Sequence, residues 1–474
     1  MRYQYLLIPI LLLFTACGGG GAENSVMNEA EELKSETDFK HSPKTVTIYI
    51  HGYQKEGYIK EQNYGEAWDY NFTNQLSEFT ELPLLETYDK DNFSNIITAV
   101  EYYGDQAPEY YTQADIDEIE GVTTKYGGGI PRYAMILAKF TKHILEETGA
   151  EKVNLVSVSM GSLITRWMIE KDIENLASNK KIEKWMTAEG VLRGNYGLSK
   201  VDDIGIAWIK ESVNSFFEDS AETQHMKYRW IEENLTPNRE SMSSPYYSDI
   251  LVGQISLTDS EKEHAGLKYI MMQEDFQPND GYQLVKDTYF GSIENSLQVP
   301  THTLMHNDHI GIKDNDSILL IISNFLEAKK RVRITLLDAT ITDIHETITV
   351  LNEDTETVFE SKIFSENAKI QTPISERVYD SGTLNIYSYK KDNETKNINQ
   401  IIFEDFVSPT ESTLQVTIEG YEIDRSTKYG ISEIKTDKKE SMGESINSIR
   451  LENGTYPVSA DDWSGHVKVE VLEM

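Results

Sequence analysis

Cysteine is nearly missing from this sequence. Of 474 residues only Cys17 carries a thiol, so no disulfide can form within the chain and no cysteine-built metal site can exist. Basic side chains are also in short supply: 44 Lys and Arg face 79 Asp and Glu, a formal net charge of −35. That balance excludes nucleic acid as a partner, because phosphate binding draws on clustered cations that release counterions. The excess negative charge reads as solubility. There is no convincing internal repeat. What is plentiful is core-forming material, 39% apolar residues with 27 Tyr and 6 Trp, enough to bury a sizeable interior. The length exceeds what one hydrophobic core usually holds, so two domains and a leader are expected.

The leader places Met1-Arg2 ahead of an apolar run from Leu6 to Phe14, followed by small residues at Thr15-Ala16-Cys17. The run is too short to span a membrane as a stable helix, and residues 1–16 read as a removable signal peptide. Phe14-Thr15-Ala16-Cys17 resembles the bacterial lipobox, with Phe14 in place of the commoner Leu. The resemblance implies that Cys17 becomes the lipid-modified first residue of the mature protein and its membrane contact, several acyl chains giving firm anchoring where one gives little. It places the chain in a bacterial cell envelope. Gly18 rather than Asp after Cys17 points to the outer membrane, with the leaflet open. Residues 17–43, glycine-rich and then acidic, are expected to be a flexible spacer.

From Thr45 the texture changes. Val46 to Ile50 and Ile96 to Val100 are short β-branched and aromatic runs of the kind that form buried strands, the first ending at His51-Gly52. Apolar residues at Ala134, Ile136, Leu137, Phe140, Ile144 and Leu145 have helical spacing, and Gly149 closes that helix. Val153 to Val158 is another strand, turning at Ser159-Met160-Gly161 into a helix from Leu163 to Ile169. Strands alternating with helices imply an α/β fold with a mostly parallel sheet and flanking helices, over residues 44–329. The Trp- and Phe-rich segment 201–251, with helical spacing at Ile206, Trp208, Ile209, Val213, Phe216 and Phe217, interrupts the rhythm and is expected to form a helical cap. After a helix from Ile318 to Phe325 the texture is all β. Strands are expected at Val332–Leu337, Glu346–Val350, Gly382–Tyr387, Leu414–Ile418 and Val467–Val471, giving a C-terminal sandwich-like domain over 330–474.

Ser157-Val158-Ser159-Met160-Gly161 departs from the nucleophile-elbow pattern G-x-S-x-G only at Ser157, and a sharp strand-to-helix turn accepts serine there because the side chain is small. A serine at that turn meets unpaired N–H groups and the positive end of a helix, which favour developing negative charge, so the Met160 N–H is one expected oxyanion donor. The chain order serine, acid, histidine then applies. His302, His306 and His309 follow in the right part of the chain, His302 within an expected strand. Asp275 and Asp280 both qualify by position after an expected strand at Leu267–Met272.

These features together resemble the bacterial lipases and esterases of the α/β-hydrolase superfamily. His51-Gly52-Tyr53, 108 residues before Ser159, is similar to their H-G-x loop, which implies Tyr53 as the second oxyanion donor. Asp308-His309-Ile310 resembles their late histidine loop, implying His309 as the base, and Pro278-Asn279-Asp280-Gly281 resembles their N-D-G element, implying Asp280 as the acid. Leu163 to Trp167 is similar to the helix start after their elbow. Glu189 to Gly194 departs from the G-T-P segment such enzymes often carry. What the resemblance implies is hydrolysis of carboxylic esters of acyl-lipid-like substrates through an acyl-enzyme, without cofactor. Neither the spacing of His306 and His309 nor Asp314-Asn315-Asp316 leads us to expect a metal. Thioesterases and polyester depolymerases are related alternatives, and a surface-anchored binding or adhesion protein on a non-catalytic hydrolase fold is the alternative from another class. Oligomeric state is not readable.

Overall fold

A computed structural model describes residues 44–54, 63–68, 70–203, 205, 207–235, 244–258, 279–288, 297–298, 302–305, 315–327, 330–343, 355–366, 373–377, 384–407, 411–424 and 438–473. The spine is a run of parallel strands: β1 (Thr45–Ile50), β2 (Asn95–Ala99), β3 (Lys152–Val158), β4 (Ile182–Ala188), β5 (Leu251–Thr258) and, beyond the two-residue β6 (Leu297–Gln298), β7 (His302–Met305). Their order across the sheet is β2-β1-β3-β4-β5-β7, each pair parallel. Every residue of β1 is buried, as expected of a parallel strand covered on both faces.

The crossover helices lie where periodicity placed them, along with two that the apolar pattern did not announce. Helices α1 (Asn71–Thr80) and α2 (Gln113–Tyr126) precede α3 (Gly129–Thr148) and α4 (Met160–Glu170). Thr112 starts α2 with a reciprocal capping box to Asp115, a polar signal rather than an apolar one. Gly149 ends α3 in the left-handed conformation, φ 71°, which costs a glycine nothing.

Between β4 and β5 the chain forms α5 (Tyr196–Lys200), α6 (Ala207–Phe216), α7 (Ala221–His225) and α8 (Tyr228–Asn234). This is the expected cap region. Val213 and Phe217 turn into the core while Trp208 is exposed. The cap gives way to β5 at Leu251, a strand the sequence reading did not anticipate. Gly253, Gln254, Ser256 and Thr258 break its apolar texture, yet all eight of its residues are buried. Ser256 finds a partner inside: its hydroxyl and that of Thr288 lie 2.5 Å apart. Gly253 leaves room for its neighbours, since a β-carbon there would come within 2.7 Å of Met186 and 2.8 Å of Phe325. The strand expected at Leu267–Met272 lies outside the described residues.

Helix α9 (Asp316–Glu327) then leads into β structure. Strands β8 (Lys330–Ile341), β9 (Thr355–Ser365), β10 (Pro373–Arg377), β11 (Tyr387–Tyr389), β12 (Glu394–Val407), β13 (Thr413–Asp424), β14 (Lys438–Arg450), β15 (Gly454–Ser459) and β16 (Trp463–Glu473) are antiparallel. Of the strand expected at Gly382–Tyr387, residues 384–387 are described and a strand begins there at Tyr387, while residues 382–383 and Glu346–Val350 lie outside the described residues. One sheet has the order β12-β8-β16-β15. The other extends the parallel sheet itself, through β7-β10-β9-β13-β14, with Glu376 opposite Thr303 at the junction. An apolar core joins the two regions, from Tyr49, Phe72 and Phe325 on one side to Ile334, Phe359 and Trp463 on the other.

Candidate active site

The turn from β3 into α4 is tightly constrained. Ser159 has φ 51° and ψ −123°, a combination that costs an L-residue about 1–3 kcal/mol and persists only where its surroundings enforce it. The surroundings do so here. The Ser159 N–H donates to the Ala188 carbonyl at 2.9 Å, and its own carbonyl accepts from Ser162 at 3.0 Å and Val191 at 3.1 Å. Gly161 lets the helix start sit directly on the end of β1: a β-carbon there would lie 2.4 Å from the carbonyl oxygens of Ile50 and His51. Ser157, standing where the elbow pattern has its first glycine, is fully buried and useful. Its hydroxyl accepts the Trp185 indole N–H at 2.8 Å and lies 3.0 Å from the Ser162 hydroxyl. Further along α4, Arg166 is buried and binds Glu170 at 2.8 Å and the Leu192 carbonyl at 2.6 Å.

The H-G-Y loop faces this serine. Gly52 contacts Ser159 so closely that a β-carbon would come within 2.9 Å of the serine's own. Beneath the loop His51 is 3% exposed and stacked on Tyr102, ring centres 4.0 Å apart. The Tyr102 hydroxyl donates to the His51 carbonyl at 2.7 Å, with the Gly52 carbonyl at 3.1 Å, and so clamps the loop. Glu101, also buried, accepts from the Tyr70 hydroxyl at 3.0 Å and the Tyr103 N–H at 2.7 Å, and its Oε1 is 3.7 Å from His51 Nε2. Burial pushes the Glu101 carboxyl up, but His51 and these donors outweigh it and hold it below the usual carboxylate range.

A cavity of about 50 Å³ opens beside Ser159, lined by Tyr53, Val191, Asn195, Phe217, Met226, Tyr282 and Gln283. It has room for a water molecule or two, whose share of liquid volume is about 30 Å³ each. Phe217 and Met226 come from the cap region. Tyr53 packs on Phe217, ring centres 5.5 Å apart, and its hydroxyl accepts the Glu218 N–H at 3.1 Å. The cap is thus fastened to the loop that carries one of the expected donors.

Asp280 sits behind Tyr282 and Gln283 in a tight turn, with no exposed surface. Its Oδ1 accepts from the Tyr282 N–H at 2.9 Å and the Gln283 N–H at 2.6 Å, and Gly281 takes the left-handed φ of 89°. Asn195 holds the turn from the other side, donating to the Tyr282 carbonyl at 2.8 Å and to Gln283 Oε1 at 3.0 Å. A residue absent from the sequence reading joins this group: the buried carboxyl of Glu189, at the end of β4, lies against that of Asp280. The available signal was a carboxylate in the segment Glu189 to Gly194 that follows β4.

The structure therefore brings Ser159 and Tyr53 to one small cavity, with Met160 at the helix start beside it and Asp280 one layer behind. His309, His306, Asp275 and Cys17 lie outside the described residues. The backbone of His302 is in β7, as expected, and β7 ends at Met305 at the same C-terminal end of the parallel strands as Ser159.

The strand order, the serine on the turn after the third strand in sequence and the helical insertion after β4 define an α/β-hydrolase fold, fused to antiparallel β sheets. No protein-family model and no curated protein sequence matches the chain. Among solved structures, a mature lipase of Bacillus licheniformis is similar over 60% of this chain and 93% of its own, at 12% identity and a TM-score of 0.37. A phospholipase of Legionella pneumophila is similar over 80% and 86%, at 8% identity and a TM-score of 0.36. A lipase-esterase related protein of Clostridium acetobutylicum is similar over 60% and 95%, at 11% identity and a TM-score of 0.28.

Proposed function

We propose that this protein is a serine hydrolase that cleaves carboxylic esters of acyl-lipid-like substrates. The observation that carries the reading is the backbone of Ser159, bent to φ 51° at the N-terminus of α4 and packed against Gly52. Strain of this kind has no packing purpose that a glycine would not serve better. It lifts a hydroxyl clear of the sheet at a point where N–H groups converge.

In the reaction Ser159 Oγ attacks the ester carbonyl while His309 takes its proton, and the N–H groups of Tyr53 and Met160 receive the oxyanion. His309 then protonates the departing alcohol, and water attacks the acyl-enzyme by the same route. Asp280 orients the imidazole and stabilises its charged form. The cap closes the site around a cavity of about 50 Å³, so an acyl chain enters only when Phe217 and Met226 move aside. The lipobox at Cys17 supports anchoring in a bacterial envelope membrane, outer rather than inner, where acyl-lipid substrates are at hand.

Labelling by a fluorophosphonate tests the reading. The wild type should take the label and Ser159→Ala should not; an unlabelled wild type, beside a control lipase that reacts, would end it. His309→Ala should abolish turnover while His306→Ala leaves it, and rates over esters of increasing acyl length define the substrate.

A further inference from the structure

Glu189 is placed with unusual care for a residue outside the expected triad. It has φ 49°, a left-handed backbone that few residues other than glycine adopt. Its N–H donates to the Ile255 carbonyl at 2.9 Å, and two residues on the Val191 N–H reaches the Ser159 carbonyl at 3.1 Å. The side chain has no exposed surface. One carboxyl oxygen accepts the Leu257 N–H, and the carboxyl lies against that of Asp280.

Two carboxyls in contact and out of water cannot both be ionised, and their surroundings decide which keeps the proton. Asp280 receives two backbone N–H groups on Oδ1, at 2.9 and 2.6 Å, the setting that stabilises an anion. Glu189 accepts the Leu257 N–H and faces the Asp280 charge. Burial first, then that charge and the hydrogen bond, push the Glu189 carboxyl well above the usual range. On a neighbouring loop the Tyr228 hydroxyl is bonded to the Asp287 carboxylate.

We propose that Glu189 is a positioning residue that, as a neutral acid, donates a hydrogen bond to Asp280 and holds that carboxylate toward the catalytic base. The assignment rests on the reading of Asp280 as the triad acid. Glu189 draws electron density from Asp280, so it also limits how far Asp280 raises the basicity of the imidazole. No proton leaves Glu189 in the cycle.

The test compares Glu189→Gln, Glu189→Ala and Asp280→Asn, each checked for wild-type-like melting. Glutamine keeps both an acceptor for Leu257 and a donor for Asp280, so Glu189→Gln should stay within about threefold of wild-type kcat/KM, whereas Asp280→Asn should lose about 10⁴-fold. Glu189→Ala should move the acid limb of the kcat/KM profile upward by about half a unit or more, since an undonated Asp280 holds the imidazolium more tightly. An inactive Glu189→Gln beside an active Asp280→Asn would make Glu189 the triad acid and overturn the proposal. So would an acid limb unmoved in Glu189→Ala, which would leave Glu189 a structural tie to β5. Fluorophosphonate labelling of the wild type tests the serine-hydrolase reading separately, and a wild type that takes no label removes both.

Discussion

Gly52 stands so near Ser159 that a β-carbon placed on it would lie 2.9 Å from the Ser159 β-carbon and 3.5 Å from its Oγ. The first of these is closer than such carbons approach in practice, so one backbone would have to give. The loop is held by Tyr102 at 2.7 Å from the His51 carbonyl, and the serine by Ala188, Ser162 and Val191. Gly52→Ala should therefore displace the hydroxyl rather than unfold the protein. A misplacement of about 1 Å costs on the order of 10²-fold in rate. Fluorophosphonate labelling and ester turnover should fall by that order while the melting temperature changes little.

That contact also marks how far the sequence could be read. The elbow and the H-G-Y loop were legible because each is a local signal, a β-branched strand meeting small residues. So was the helix of Gly129–Thr148, whose apolar spacing and closing Gly149 agree with the structure. Strand β5 was not, because Gln254, Ser256 and Gly253 owe their burial to partners distant in sequence, Phe325 and Thr288 among them. Glu189 was missed for the same reason. Its partner is Asp280, and nothing local says that a carboxyl after β4 meets another after β5. The joining of the parallel sheet to the C-terminal strands through Thr303 and Glu376 is likewise a long-range pairing that no window of sequence reveals.

Tyr53 links the cap to the site through its hydroxyl, which accepts the Glu218 N–H at 3.1 Å. Tyr53→Phe removes that bond and keeps the ring on Phe217 and the backbone N–H. A neutral hydrogen bond contributes about 0.5–1.5 kcal/mol, so the open cap should become roughly two- to tenfold more populated. Labelling by a long-chain fluorophosphonate should accelerate by that factor and labelling by the smallest probe by less. Equal acceleration for both would mean that the hydroxyl acts on the serine and not on the cap.

His225 makes the cap sensitive to acid. Its Nδ1 accepts the Ile130 N–H at 3.2 Å, and its ring stacks on Trp230 with centres 4.3 Å apart. An accepting Nδ1 requires the neutral ring. Burial lowers its pKa from 6.5 to about 4, against a smaller upward pull from its bond to the Tyr126 backbone. Since the folded value lies below the unfolded one, the stability this group contributes is complete above about pH 6.5 and is lost as the pH falls through about 4. Glutamine can accept from Ile130 without titrating. Melting temperatures from pH 7 to 4 should fall more steeply for the wild type than for His225→Gln; parallel curves would remove His225 from the account.

Lys139 holds three carboxylates together. Its Nζ lies 2.7 Å from Asp115, Glu118 and Glu174, and its side chain is 4% exposed. The three acidic groups come within 4.8 Å of one another, so the ammonium is what keeps α2, α3 and the turn at Glu174 from repelling. Lys139→Met retains the packing of the stem and removes the charge. The carboxylates left behind are partly exposed and screened by solvent, so the loss, up to about 1 kcal/mol for each pair, should appear at neutral pH as a lowered melting temperature. Acid should narrow the gap. Although burial raises the Asp115 carboxyl, Lys139 and Thr112 pull it from 3.8 down to about 2, and Glu174 too is held below 4.5. Wild-type stabilisation from these groups is therefore present above their unfolded values and is lost as the pH falls through the folded ones. In the variant, repulsion among the three carboxylates favours their protonation, which relieves it from higher pH downward. The two melting curves should converge between about pH 4.5 and 2, and a gap that stays constant with pH would show that Lys139 contributes by packing rather than by charge.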